Sequence, residues 1–270
     1  MQLLGTSHRI AFDRVAPFEN RYLTYLVRWS QLLRVAPPTD GWNQTTLAAL
    51  EEGAGPMGPI PLGEAPLLAG EGIPPLWPEA LQAVWEVFSD RARAYPPDPA
   101  VTPTHYAEKT PPYVRDGLSA AGIDHHALYP VRDPRDIYLS IMGMGGRRGG
   151  SFWGFREDDT PETFARRFSR SWRSRLELVL AVDETDRQTV VRYEEMALDL
   201  PGQAARLSRF LGVDLDARPV LERSGEFRGH MTSGSAEASV ARWQRGMEPG
   251  VQRIFERNMG DLLAALGYEV

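Results

Sequence analysis

Apolar side chains recur with helical spacing in some segments and in short continuous runs in others, and that division predicts an alternating α/β protein. Residues 20–34 place Tyr22, Leu23, Leu26, Val27, Trp29, Leu32 and Leu33 at the intervals of an amphipathic helix. A second helix over 78–94 puts Leu81, Val84, Trp85 and Phe88 on one face and stops at Pro96-Pro97. Between them, thirteen of the 26 residues 53–78 are Gly or Pro. That density forbids continuous helix or central strand, so the stretch reads as a long loop, either a lid or a linker.

Downstream, residues 104–108 and 127–131 are short apolar runs flanking a helical piece at 113–121. Strand, helix, strand is the unit from which parallel sheets are built. Helix resumes at Pro134 and runs to about Met144, ending in a loose stretch 143–150 that contains Arg147 and Arg148. A long helix over 161–182 follows, with Thr160 as N-cap and Asp158 and Glu162 near the positive end of its dipole. Residues 189–192 form a β-branched strand, 200–211 a helix closed by Gly212, and 249–266 the last helix. No repeat interrupts this order. The expectation is a single domain over 1–270, built as a parallel sheet with helices on both faces.

Composition narrows the function. At 42% hydrophobic the 270 residues can bury a substantial core. A net charge of −6 argues against a nucleic-acid binder whose affinity rests on phosphate neutralisation, so any polyanion site must be local. The absence of cysteine excludes a disulfide scaffold, a thiolate metal site and a cysteine nucleophile. No apolar run approaches the roughly 18 residues of a membrane span, and residues 1–9 do not read as a signal peptide. A soluble cytoplasmic protein is the expectation. The thirty basic residues are 29 Arg and one lysine, Lys109.

The sharpest local signal is Val131-Arg132-Asp133-Pro134-Arg135-Asp136-Ile137-Tyr138-Leu139-Ser140. A strand ends at Val131, Asp133 caps a helix beginning at Pro134, and Asp136 completes a capping-box-like pair. Such a junction makes an anion site, because free N–H groups and the helix dipole point outward. Arg132 offers a two-point fork for a phosphate and Ser140, eight positions on, a hydroxyl. The alternative is a junction whose Arg and Asp residues simply pair with one another. Upstream, Tyr106-Ala107-Glu108-Lys109-Thr110-Pro111 puts the only lysine at the C-terminal end of a strand, the edge where open α/β sheets bind ligands. Either a compact ammonium is required there, or one lysine survived by chance.

Together these two elements resemble the sulfotransferases that use 3′-phosphoadenosine 5′-phosphosulfate (PAPS), in particular the bacterial and carbohydrate-type members. The resemblance implies a P-loop-NTPase-like parallel sheet flanked by helices, and a 3′-phosphate held by Arg132 and Ser140. It extends to Val191-Arg192-Tyr193-Glu194-Glu195, whose Tyr193 corresponds to a residue near the adenine. It also extends to residues 229–243, which contain Thr232, Ser233 and Arg242-Trp243 and look like the loop that closes over the nucleotide. The family's opening strand and phosphate cradle have no counterpart, nor is there a Walker motif. Residues 1–9 instead resemble the helix after that cradle, with a strand near 9–12, so the first strand is expected to be missing.

The resemblance further implies a general base at Glu19 and charge stabilisation near the sulfuryl group by Lys109, a division suited to in-line transfer. Glu19 reads equally as a carboxylate serving a helix dipole. His105, His125 and His126 lack metal-ligand spacing, and no metal is expected. Arg166, Arg167, Arg170, Arg173 and Arg175 read either as a basic rim for an anionic acceptor or as a solvated helix face paired with Glu162 and Glu177. The expected function is transfer of a sulfuryl group from PAPS to a hydroxyl or amine of a small-molecule or carbohydrate acceptor, with neither nucleic acid nor membrane as partner. The alternatives are a non-catalytic nucleotide-binding remnant and a small-molecule kinase. Acceptor identity and oligomeric state are not readable from the sequence.

Overall fold

The structure, a computed structural model, describes residues 1–12, 21–31, 76–94, 98–148, 154–222 and 232–270. Glu19, all but the end of the Gly/Pro-rich stretch 53–78, and residues 229–231 of the C-terminal loop lie outside them. The packing gathers the chain into two compact units, His8–His125 with Met1, and Gln2–Ser7 with His126–Val270.

The first unit contains β1 (Ile10–Ala11), α1 (Tyr22–Gln31), α2 (Trp77–Ala94), β2 (His105–Tyr106) and α3 (Pro112–Ala120). Leu23 and Val27 of α1, Trp77 and Leu81 of α2, and Val114 and Leu118 of α3 form its core, each pair one helical turn apart. Gly117 lets α3 approach α1: a Cβ there would lie 2.6 Å from Val27 Cγ1. β1 and β2 pair in parallel, Ile10 with His105 and Ala11 with Tyr106. The strand expected over 104–108 is shorter because the chain leaves the ladder after Ala107, whose N–H still reaches Ala11 O at 2.9 Å. Beyond it stand Pro111 and Pro112, which have no N–H to donate.

The second unit holds β3 (Ala127–Val131), α4 (Pro134–Arg148), α5 (Pro161–Leu180), β4 (Gln188–Arg192), α6 (Tyr193–Leu198), α7 (Leu200–Leu211), α8 (Arg218–Glu222), α9 (Trp243–Gly246) and α10 (Pro249–Ala265). β3 and β4 are parallel, in register from Ala127↔Gln188 to Val131↔Arg192. Alternation along β4 makes this pair two-sided. Val190 packs with Tyr138, Phe164, Phe168 and Phe255 from α4, α5 and α10, whereas Val191 packs with Leu3, Ala204, Leu207 and Ala217. Parallel strands with helices on both faces are the predicted architecture. The predicted β–α–β unit is realised differently, since β2 pairs with β1 and β3 with β4.

Local capping explains most boundaries. Thr160 accepts from Thr163 N at 3.2 Å while Thr163 Oγ1 accepts from Thr160 N at 2.8 Å, a reciprocal box that starts α5. Asp199 caps α7 through Gly202 N at 3.0 Å, and α7 stops at Gly212. Two expectations are corrected. The stretch 143–150 is helical through Arg148, because packing around Ile141, Met142 and Phe155 outweighs the poor propensity of its glycines. Residues 1–9 hold one 3₁₀ turn, Leu4–Thr6, not a full helix; Thr6 Oγ1 turns back to Leu3 O at 2.7 Å and accepts from Asp216 N at 2.9 Å. Residues after Arg192 enter the short helix α6 at once. Among the described residues no helix is long and apolar enough to cross a membrane.

Candidate functional site

The end of β3 and the first two turns of α4 bring together most of the residues singled out by sequence. Asp133, Arg135 and Asp136 are buried at 4, 1 and 0% exposure. Burying three charges is costly unless each is paired. Asp133 accepts from Arg135 N at 2.9 Å and from the Arg135 guanidinium at 2.8 Å. Arg135 also donates to Glu269 O at 2.6 Å and stands 3.5 Å over the Trp243 ring. Arg135 therefore follows the pairing alternative: its charge is spent on holding the junction together.

Asp136 departs from the expected capping box. Its Oδ1 accepts from Trp243 N at 2.9 Å, and the Ala241 N–H also supports it, which ties the C-terminal loop to α4. Burial pushes its pKa up, and the Asp133 charge adds to this. Ala241 takes φ 51 at the same place, an unusual left-handed conformation for a side-chain-bearing residue. The expected outward-facing N–H groups at this helix start are also committed. Asp133 N donates to Glu194 Oε1 at 2.8 Å, Arg135 N to Asp133 Oδ1, and Asp136 N to Asp133 O at 3.1 Å. Those N–H groups are therefore engaged within the protein rather than directed outward.

The side chains here form two linked groups. Arg132 is half-buried, with its guanidinium carbon 4.1 Å over the Tyr193 ring and Nη2 donating to Ser239 O at 3.1 Å. Its Nε is buried with no hydrogen-bond partner among the described residues. Tyr193 OH meets Ser239 Oγ at 2.8 Å; since Ser239 donates to Ala236 O at 2.6 Å, the tyrosine is the donor. One helical stretch on, Ser140 Oγ lies 3.0 Å from Thr232 Oγ1, which also accepts from Arg242 Nη1 at 3.0 Å. Arg132 and Tyr193 thus meet at the turn before α4, and Ser140 and Thr232 meet further along it. Ser233 is not joined to them: its hydroxyl donates to Ser235 O at 2.9 Å within its own loop.

In the first unit, Glu108 reaches the start of α1, accepting from Leu23 N at 3.0 Å and Thr24 N at 3.4 Å, and takes Tyr106 OH at 2.9 Å. Burial raises its pKa despite these donors. Lys109, beside it, is exposed; burial, with the Lys109 charge adding to it, lowers the pKa of the Met1 amino group. Among the arginines of α5, Arg167 pairs with Asp159 and donates to Gly154 O at 2.6 Å. Arg173 pairs with Asp261 at 2.6 Å and Glu177 at 3.0 Å. These two are spent on packing rather than on a rim. Among the described residues no group of His, Asp and Glu is arranged to hold a metal.

Sequence reasoning did not single out Glu194, Ser239, Glu108 or Asp136 in these roles. Their partners lie 46 to 107 positions away except for near neighbours, so no local pattern announces them. Arg242 carried a signal, its place beside Trp243 in the resembling loop.

A sulfotransferase domain family model matches residues 122–261, just over half of the chain, spanning β3 to most of α10. The chain belongs to the sulfotransferase domain family. The matched region includes Arg132, Ser140, Tyr193, Thr232, Ser233 and Arg242 and excludes Lys109 and Glu19. Two solved structures are similar at a distance. The sulfotransferase domain from the curacin biosynthetic pathway has a TM-score of 0.47 and 16% identity, covering 99% of this chain and 92% of that one. Retinol dehydratase in complex with androsterone and the inactive cofactor PAP has a TM-score of 0.41 and 15% identity, covering 97% and 83%. The family assignment rests on the family match. No curated protein matches the chain.

Proposed function

We propose that this protein transfers a sulfuryl group from PAPS to a hydroxyl or amine of a small-molecule or carbohydrate acceptor. Family membership supports sulfuryl transfer. The observation that carries the nucleotide assignment is Arg132. Its guanidinium is backed by Tyr193 and keeps a buried Nε without a partner among the described residues, and Ser140 follows eight residues on, in the helix that begins at Pro134. A buried donor without an acceptor is costly, and a phosphate oxygen satisfies it with a charge-assisted bond. In this reading Arg132 and Ser140 hold the 3′-phosphate, Tyr193 fixes the Arg132 plane, and the loop with Thr232, Ser233 and Arg242 closes beside them.

Bound PAPS supplies the sulfuryl group, and the chain's own residues bind, orient and move the proton. The acceptor oxygen or nitrogen forms a bond to sulfur as the bond from sulfur to the phosphate oxygen breaks. Glu19 takes the acceptor proton, and Lys109 balances the charge that develops on the departing side. The roles of Glu19 and Lys109 rest on their sequence context, and no metal enters the proposal.

Calorimetry with adenosine 3′,5′-bisphosphate and adenosine 5′-monophosphate tests the nucleotide assignment. The bisphosphate binds at least about tenfold more tightly, and Arg132→Ala removes the difference. Equal affinity for both nucleotides in the unaltered protein overturns the reading. Labelled PAPS with panels of hydroxyl and amine acceptors then separates an enzyme from a protein that only binds nucleotide. Preference for ATP would mark a kinase.

A further inference from the structure

The last register pair of the β3–β4 ladder is Val131↔Arg192, and beyond it the two chains diverge into α4 and α6. The next main-chain donor on the β3 side, Asp133 N, would lose its partner there. Glu194 Oε1 takes that N–H at 2.8 Å, so a side chain extends the pairing past the end of the strands. One residue earlier, Tyr193 lies under the Arg132 guanidinium. Consecutive residues of one strand end thus hold Arg132 twice, through its side chain and through the peptide that follows it.

The other oxygen of Glu194 accepts from Tyr268 OH at 3.3 Å. Tyr268 arrives there because α10 ends at Ala265 and Gly267, at φ 74, reverses the chain, with Tyr268 N returning to Leu263 O at 2.9 Å. Arg192 clamps the tail from the other side, 4.5 Å over the Tyr268 ring and donating to Leu266 O at 2.7 Å. Burial, reinforced by the Glu194 charge, pushes the Tyr268 pKa up and keeps its hydroxyl a donor.

We infer that Glu194, oriented by Tyr268 of the C-terminal tail, is a positioning residue for Arg132, fixing the Arg132–Asp133 peptide so that the guanidinium meets the 3′-phosphate. This rests on the assignment of Arg132 to that phosphate. A competing role for Glu194 is a charge at the N-terminus of α6, which needs only proximity to the dipole. The observed carboxylate instead directs both oxygens to other segments, Asp133 and Tyr268.

The test measures the affinity ratio of adenosine 3′,5′-bisphosphate to adenosine 5′-monophosphate in the full chain, with urea midpoints as the stability control. Glu194→Ala lowers the ratio about tenfold, the loss expected of one buried hydrogen bond that orients a charged group. Glu194→Gln, whose amide oxygen still accepts from Asp133 N, restores most of it. Tyr268→Phe lowers it about threefold by freeing the carboxylate to turn. Equal weakening for both nucleotides in Glu194→Ala, or Gln behaving as Ala, overturns the positioning role in favour of general packing or the dipole. A ratio lost in Arg132→Ala but intact in Glu194→Ala overturns the positioning role alone. A ratio that survives Arg132→Ala overturns the nucleotide assignment and the positioning role with it.

Discussion

Two junctions are built on one plan and spend their charges differently. β3 leads through Arg132-Asp133 into Pro134, and β2 leads through Glu108-Lys109 into Pro111-Pro112. In the β3–α4 junction the residues after the half-buried cation do the structural work: Asp133, Arg135 and Asp136 are buried and bonded to Glu194, Glu269 and Trp243. In the β2–α3 junction the residue before the cation does it, with Glu108 serving the start of α1. A cation can be kept for a ligand when its neighbours carry the bonds that close the fold. Arg132 and Lys109 stand next to such neighbours.

The largest effect expected falls on the β3–α4 side. Arg135→Ala leaves the buried Asp133 without its cation, with only the residue-135 N–H still donating to it, and removes the cation over Trp243, costing about 3 kcal/mol in urea denaturation. A loss near zero would mean that the junction does not depend on this pair. Lys109→Ala tests the other junction by turnover. Under the proposed division it lowers transfer by about a hundredfold while the bisphosphate affinity stays within about twofold, the reverse of Arg132→Ala. Equal effects of both variants on binding would erase the distinction between the two cations.

Gly117→Ala probes the packing beneath the β2–α3 side. Its Cβ would meet Val27 at 2.6 Å, so stability falls by about 2 kcal/mol and Val27→Ala in the same chain recovers part of it.

The smallest effect is a pH slope. Asp136 and Glu108 have raised pKa values in the folded protein, so the folded state binds more protons than the unfolded one above their ordinary values of 3.8 and 4.5. Their contribution is fully present below those values and is lost as pH rises through the folded pKa. Asp159 has the opposite sign: hydrogen bonds from Arg167 hold it down to about 2, and its contribution is lost only as pH falls toward that value. His105, lowered by burial, adds stability as pH rises toward 6.5. Subtraction therefore isolates the junctions: Asp136→Asn and Glu108→Gln should each reduce the loss of stability that the unaltered protein shows as pH rises above the ordinary carboxylate values. An unchanged slope in both would mean that these carboxylates titrate normally.

The chain's own order of residues determined a good deal. Thr160-Pro161, Asp199 and Gly212 mark helix ends because capping is a bond between residues a few positions apart. The β3 and β4 segments were legible as a short apolar run and a β-branched stretch, signals that lie within a few consecutive residues. Arg132 and Ser140 could be singled out because their spacing is local and carries a family resemblance. The tertiary structure alone decided which charges of Arg132-Asp133-Pro134-Arg135-Asp136 are structural. Arg135 meets Glu269 across 134 positions and Asp136 meets Trp243 across 107, while the buried Nε of Arg132 has no partner among the described residues. The physical reason is that the cost of burying a charge depends on the partner that folding delivers to it, and that partner leaves no trace within a few residues of the charge.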